Sequence, residues 1–416
     1  MKLPGLRQLT AFCLLWTASV QAEPLRLYID ADFSHGTQAA DAIELGVRTA
    51  LAESGNEVDG HSIEVRPIDH RGNVKRSLRT LQTYGSDPNA LAVIGGVNSP
   101  PYLTNRRLIN EEGWLMLLPW SAAGPITRSP ESRENWIFRL SIDDTKSADF
   151  FVRRAIEVHD CKAPGLLLVD TGWGRVNRIA LLERFSARSD MVPQVWTFPA
   201  AVGEAEAARI AGEIGAAGRD CLIMLASDNN GSLLVREMFR QNVSPRILSH
   251  WGITAGDFEK TVAHEIREEM RIEVLQTCAL TAEQIRTVKV KRVLALAGQD
   301  QGGFQSLSDV PAMTGFVHAY DITRIFLAAT GQAMQSPNWA DADIHAKRRA
   351  VRGALENLQT PVDGILKTYR RPFRPFSQAD ADAHEALGGD DLCVAAYSAS
   401  GHLVLPVAER GARPGQ

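Results

Sequence analysis

The sequence carries few cysteines, five in 416 residues, and none of them lies in a CxxC pair. No HExxH or other paired ligand spacing occurs, so the residues of a zinc site are missing. A GxSxG elbow, a phosphate-cradling glycine loop and a dinucleotide fingerprint are also absent. Catalysis is therefore not expected, nor is a metal or a cofactor. The chain has no basic stripe: 45 Lys+Arg stand against 49 Asp+Glu, a net charge of -4, which argues against nucleic acid as a partner. Past the N-terminus no apolar run reaches the roughly 18 residues of a membrane span, and the remainder is expected to be soluble.

What is present begins with Lys2 and Arg7, an apolar run around AFCLLWTASV, and Val20-Gln21-Ala22 before Glu23. A basic start, a short apolar core and small residues before a cut describe a secretory signal peptide over 1–22. Cys13 follows the bulky Phe12, a poor site for lipoprotein processing. Loss of Lys2 and Arg7 takes the formal charge from -4 to -6. The remaining 394 residues (416 less 22) exceed one ordinary core and suggest two lobes. Cys161, Cys221, Cys278 and Cys393 remain, and in an oxidising compartment this even count permits two disulfides.

The stretch from Leu91 to Pro119, LAVIGGVNSPPYLTNRRLINEEGWLMLLP, reads as a buried strand, a turn, a helix and a second buried strand. Parallel strands joined by a helix present their C-terminal ends to a ligand crevice. LRLYIDADF and SIEVRPIDH add strands before it. Thr37 precedes a helical spacing of Ile43, Val47 and Leu51, and Asn73 is placed to cap a further helix. From WIFRLSIDD a second series begins, with GLLLVD, VWTFP, CLIMLAS and RILSHW as strands and helices at 146–158, 175–188, 204–217 and 231–241. This predicts an α/β fold of two doubly wound parallel-sheet lobes joined by three crossover strands. The crossings fall near Arg139, at 271–277 and at 362–369, giving 23–140 and 279–360 as lobe 1 and 141–278 and 361–408 as lobe 2. A helix over 316–329 returns to the first lobe, and 409–416 forms a disordered tail. Cys161 lies just before GLLLVD and Cys221 opens CLIMLAS. These first and third strands of the series are expected to be neighbours, which favours Cys161–Cys221 if the Cα atoms come within about 7 Å.

The order and spacing of VIGGVNS, INEEGWLMLLPWSAAGPIT, IFRLSIDD, LLLVDTGWGR and HAYDITRIFLAA resemble the type I periplasmic binding proteins, specifically the leucine/isoleucine/valine-binding group of ABC-transporter receptors. The resemblance runs over nearly the whole mature chain. It implies a periplasmic, monomeric receptor that closes two lobes on a small solute and delivers it to permease subunits. By the same resemblance Ser99 falls on a first-lobe hydroxyl, and Ser121 and Ala122 fall on a loop that holds a ligand carboxylate. Trp173 replaces a second-lobe tyrosine, Ser227 lies in a loop that often carries an aromatic, and Trp251 stands where amino-acid binders place an acid. The missing acid argues against an unmodified aliphatic amino acid, because a buried ammonium without a partner loses several kcal/mol.

Each position also has a plainer reading. Ser99 before Pro100 and Pro101 is a good helix N-cap. Trp120 and Trp251 could be core residues, as most tryptophans are, although Trp120 could complete a third wall. Trp173, flanked by glycines, is the best candidate to stack on a solute. Asp228 suits a turn or helix cap, Asp143 and Asp144 suit caps, and His250 and His318 have no catalytic partner motif. Two solute chemistries follow: a polar or aromatic carboxylate held by Ser99, Ser121 and loop N–H groups, or a cation caged by the tryptophans with Asp228. A sensory receptor for a membrane kinase or chemoreceptor is the alternative to an importer component.

Overall fold

The computed structural model describes residues 23–35, 37–128, 133–268, 270–278, 287–299, 304, 310, 312–397 and 403–404. The expected signal peptide and C-terminal tail lie outside the described residues. In the first lobe, β1 (Leu25–Ala31), β3 (His61–Asp69), β4 (Ala90–Gly95), β5 (Met116–Leu118) and β6 (Ile137–Arg139) pair in parallel, and β2 (Glu57–Val58) joins one edge antiparallel. The order is β2-β3-β1-β4-β5-β6. Every residue of β4 and β5 is buried, which is why both read as unbroken apolar runs rather than alternating ones. α1 (Thr37–Glu53), α2 (Val74–Ser86) and α3 (Ser99–Glu111) supply the crossovers, and the Asn73 side chain caps α2 by accepting from the Lys75 and Arg76 N–H groups.

The second lobe repeats the plan. β7 (Pro164–Val169), β8 (Gln194–Phe198), β9 (Cys221–Leu225), β10 (Arg246–Ser249) and β11 (Ile272–Thr277) are parallel. Among the helices here are α4 (Asp144–Arg153), α5 (Gly172–Arg188), α6 (Glu204–Ala216), α7 (Asp228–Arg240), α8 (Phe258–Thr261) and α9 (Ala263–Glu268). The sheet runs β8-β7-β9-β10-β11 and is then extended antiparallel by β14 (Leu392–Tyr397) and β15 (Leu403–Val404). Among the parallel strands of each lobe the first therefore stands second in the order, so strand order reverses beside β1 and beside β7. Ligand crevices open at such reversals, outside the strand C-termini. The second sheet is mixed rather than purely parallel, because its last strands come from the C-terminal segment.

α10 (Val288–Ala297) and α11 (Met313–Met334) return the chain to the first lobe, where α11 packs along α1, and α12 (Ile344–Glu356) follows. Residues 362–369, expected as the third crossing, instead form a short antiparallel hairpin of β12 (Val362–Asp363) and β13 (Thr368–Tyr369). Asp321 of α11 holds it: the carboxylate accepts from the Ile365 and Leu366 N–H groups at 2.5 and 3.0 Å and from the Tyr369 hydroxyl at 2.8 Å. A Cβ on Gly364 would strike the same carboxylate, so the turn needs glycine there. The chain passes alongside β6 only at Glu385, which bridges Arg139 in parallel, and it joins the second sheet only from Leu392.

Disulfides link Cys161 to Cys221 (Cα–Cα 6.0 Å) and Cys278 to Cys393 (5.1 Å). The first ties the lead-in to β7 to the start of its neighbour β9, and the second ties the exit of β11 to β14. Among the described residues no helix is long and apolar enough to cross a membrane.

Candidate functional site

The segment that leaves β6 carries two buried acids with different surroundings. Asp143 is the N-cap of α4, accepting from the Thr145 N–H. It lies 3.1 Å from the fully buried Arg139 guanidinium and accepts from Arg128 at 2.6 Å. Arg139 in turn pairs with Glu385 at 2.6 and 2.9 Å and donates to the Ala123 carbonyl at 3.0 Å. Burial opposes ionisation of Asp143, but Arg139 and Arg128 outweigh it and hold the carboxyl far below its usual value. This ion cluster joins β6, the 121–128 loop and the 382–387 segment, which makes it the framework of the hinge.

Asp144 opens α4 one residue later, and among the described residues no Arg or Lys pairs with it. Its backbone N–H donates to the Ala122 carbonyl at 2.9 Å, in the first-lobe loop after β5. Its carboxylate accepts from Trp173 Nε1 at 2.8 Å and Asn177 Nδ2 at 2.7 Å, and His250 Nε2 lies at 2.9 Å. His250 Nδ1 accepts the Gly252 N–H at 3.2 Å. That bond fixes the tautomer: the ring proton sits on Nε2 and is donated to Asp144. Asp144 and His250 side chains are only 3% and 2% exposed. One carboxylate therefore gathers α5 and the end of β10 onto a segment anchored in the first lobe.

Several predicted residues come together here. Ser99 stands at the first position of α3 rather than capping it, with Asn98 at the N-cap position. The Ser99 hydroxyl instead accepts the Ala123 N–H at 3.3 Å, and no described residue takes its proton. Ser121 donates to the Gly96 carbonyl at 2.6 Å, joining the loops after β4 and β5. Ala122 is held by Asp144 through its carbonyl. Trp173 lies across from them, half-buried, packed edge-on to His250 at 5.0 Å between ring centres and against the first-lobe cluster that includes Tyr102. A Cβ on Gly174 would lie 1.7 Å from the Val169 carbonyl oxygen, so only glycine lets α5 start so close to β7.

The other four predicted positions lie elsewhere. Trp120 is buried in the core, where its ring fills the space beside Gly315 of α11. Trp251 is fully buried within the second lobe, 4.3 Å from the His250 ring, and its indole N–H has no partner. Ser227 caps α7, accepting from the Asn230 N–H. Asp228 lies against Gly256, where burial, with Asp257 nearby, raises its carboxyl above the usual range. The residues that sequence reasoning missed are Asp144 and His250. An acid does stand near the place where Trp251 suggested none, supplied from a distant segment.

Contacts between the lobes are made elsewhere too, among them a hydrogen bond from Thr314 of α11 to Gln276 of β11. Leu103 of α3 lies against Gly172 of α5, and the Gln38 side chain of α1 hydrogen-bonds Asp257. In the first-lobe interior Asp30 accepts from Ser77 at 2.6 Å with no cation beside it; burial pushes its carboxyl up to about 7, only partly offset by Ser77, Thr80 and Tyr102. Among the described residues one group has metal-ligating atoms close together, Cys161, Asp220 and Cys221. Its sulfurs form the disulfide, and Asp220 accepts from the Lys162 and Ala163 N–H groups.

Comparison with known proteins agrees with this architecture. Residues 31–264, more than half of the chain, match the family described as periplasmic binding protein. Comparison with curated proteins gives no match. Similar solved structures include a type 1 periplasmic binding protein from Bordetella pertussis Tohama I, 14% identical over 92% of this chain and 100% of that one, TM-score 0.73. A leucine binding protein from Thermotoga maritima MSB8 is 13% identical over 92% and 98%, TM-score 0.70. A solute binding protein of an ABC transporter from Rhodopseudomonas palustris HaA2, in complex with p-hydroxybenzoic acid, is 16% identical over 92% and 95%, TM-score 0.70. Two lobes of like strand order, crossing segments tied by an ion cluster and the matched region all agree: the chain belongs to the periplasmic binding protein family.

Proposed function

We propose that the protein is a periplasmic solute receptor. It captures a small polar or aromatic carboxylate between its lobes and delivers it to the permease subunits of an ABC importer, with no chemistry of its own. The observation that carries this reading is the meeting of Ser99 and the Ser121–Ala123 loop, at the first lobe's strand reversal, with the half-buried Trp173 at the second's. A serine hydroxyl with its proton unengaged suits an anion, and a half-buried indole face suits a planar apolar body.

The alternative is a cation caged by the tryptophans with Asp228; Trp120 and Trp251 are buried, as Ser99 and Ser121 are, and Asp228 packs against Gly256. Support for an aromatic carboxylate also comes from the R. palustris relative, whose structure holds p-hydroxybenzoic acid.

Native mass spectrometry of freshly purified protein tests the reading. A co-purified small carboxylate, released on unfolding, is expected; a quaternary ammonium or a metal ion would contradict it. Loss of uptake of that solute on deletion supports an importer, whereas unchanged uptake with a lost response to the solute would assign the protein to a sensory pathway.

A further inference from the structure

Trp173 is the one predicted aromatic wall that remains half-exposed, yet its backbone setting does little to orient it. It lies between Gly172 and Gly174 in the first turn of α5. Glycine neighbours offer no side chains to fix an indole ring. What holds it is packing on the first-lobe cluster, the His250 ring against its side and the Nε1–H bond to Asp144 at 2.8 Å, of which only the bond fixes the direction of the indole N–H.

Asp144 is itself constrained from several sides. Its N–H is held by Ala122 of the first lobe, and its carboxylate also takes Asn177 and His250. It belongs to the segment that crosses between lobes, next to the hinge acid Asp143. We infer that Asp144 is a positioning residue for solute capture, holding the Trp173 ring in its solute-facing orientation and coupling that wall to the hinge. The role rests on the solute-receptor reading only for where the solute sits.

The chemistry of the cluster makes Asp144→Leu, which has no acceptor, the decisive variant, because an amide would keep part of the network. In Asp144→Asn the amide oxygen can still accept from Trp173 or Asn177, but the amide nitrogen must then face His250. His250 cannot accept there, because its Nδ1 is committed to the Gly252 N–H and its Nε2 carries the proton. Two donors oppose each other, and the amide cannot satisfy His250 and Trp173 together.

The test uses the mature chain labelled with 15N-tryptophan and free of solute, in which the Trp173 indole N–H resonance is identified by its loss in Trp173→Phe. That resonance is expected to be protected from exchange in the wild type. In Asp144→Leu it should shift and exchange at least about tenfold faster, as expected for loss of its acceptor, while the Trp114 and Trp136 resonances stay in place. Calorimetry with benzoate as the probe completes a double-mutant cycle. Asp144→Leu should weaken benzoate about 10–100-fold in the wild type but less than about twofold in Trp173→Phe, where the partner is already gone.

An unshifted, still protected indole in Asp144→Leu overturns the inference, and so does an equal loss of affinity in both backgrounds, which would mark a general structural role. If wild-type protein does not bind benzoate, the carboxylate reading fails and the indole measurement alone decides the role of Asp144. If Asp144→Leu does not fold, exchange in the wild type decides it: a freely exchanging Trp173 indole is incompatible with the proposed role.

Discussion

Asp143 and Asp144 are adjacent and both buried, yet they serve two different regions. Asp143 sits among Arg139, Arg128 and Lys146, whereas Asp144 sits among an indole, an amide and an imidazole. In the hinge, opposite charges offset the cost of burying each other and fix where three segments cross. Around Asp144, the N–H groups of an indole, an amide and an imidazole converge on one carboxylate and in return acquire fixed orientations. The difference follows from the helix start: consecutive residues at the N-cap and first position point to opposite sides of the segment, one toward the hinge and the other toward α5 and β10. Asp30 provides a third case, a buried acid with hydroxyl partners and no cation.

The largest effect is expected from breaking the hinge. Arg139→Met leaves buried Glu385 with the Thr127 hydroxyl and, as its remaining cation, the more distant Arg128 at 3.8 Å, and should cost about 3–5 kcal/mol in chemical denaturation. Replacing Arg139 and Glu385 together by Met and Leu should cost clearly less, because no charge is then left without its partner. An Arg139→Met protein as stable as the wild type would remove the hinge cluster's structural role.

The next effect concerns the acid without a cation. With its carboxyl at about 7, against an ordinary unfolded value of about 3.9, folded Asp30 keeps a proton that the unfolded chain has lost. Its contribution is therefore complete below about pH 4 and is lost as the pH rises through 7. Asp30→Asn should remove this slope and gain on the order of 2–4 kcal/mol relative to wild type on going from pH 4 to pH 8. Urea titrations across that range measure it, and parallel curves for the two proteins would contradict it. Asp143, held low by its arginines, contributes with the opposite sign: its stabilisation is present above the unfolded pKa and is lost on strong acidification.

How far the sequence discloses these regions depends on how local the determinants are. Strands buried on both faces read as apolar runs, so LAVIGG, GLLLVD and CLIMLAS mark the sheets, and the neighbouring first and third strands bring Cys161 beside Cys221. That Ser99, Ser121, Ala122 and Trp173 lie in the loops and helix starts beyond strand ends is legible because each follows an apolar run. The Asp144 cluster is not legible, because its members at 144, 173, 177 and 250 come from three elements, and an acid opening a helix looks like an ordinary cap. Trp251 shows the converse: a tryptophan after a strand gives no sign of which way it turns. The third crossing is hidden because its pairing beside Arg139 is a single bridge at Glu385 in a polar stretch without an apolar run. The hairpin at 362–369 has the apolar residues of a strand but is captured by Asp321.

A smaller effect is expected at the solute wall. Trp173→Ala should weaken the solute by about 1–3 kcal/mol while the thermal transition stays near that of the wild type. Unchanged affinity with a lowered Tm would assign Trp173 to packing between the lobes instead.

The most direct test is calorimetric titration of the mature protein with p-hydroxybenzoate, benzoate and leucine, with small-angle scattering of each saturated sample. Saturable binding of an aromatic carboxylate is predicted, together with a smaller radius of gyration, because a ligand touching both lobes favours their closed arrangement. Saturable binding that leaves the shape unchanged, or tight binding of a quaternary ammonium with none of a carboxylate, would contradict capture of a carboxylate between closing lobes.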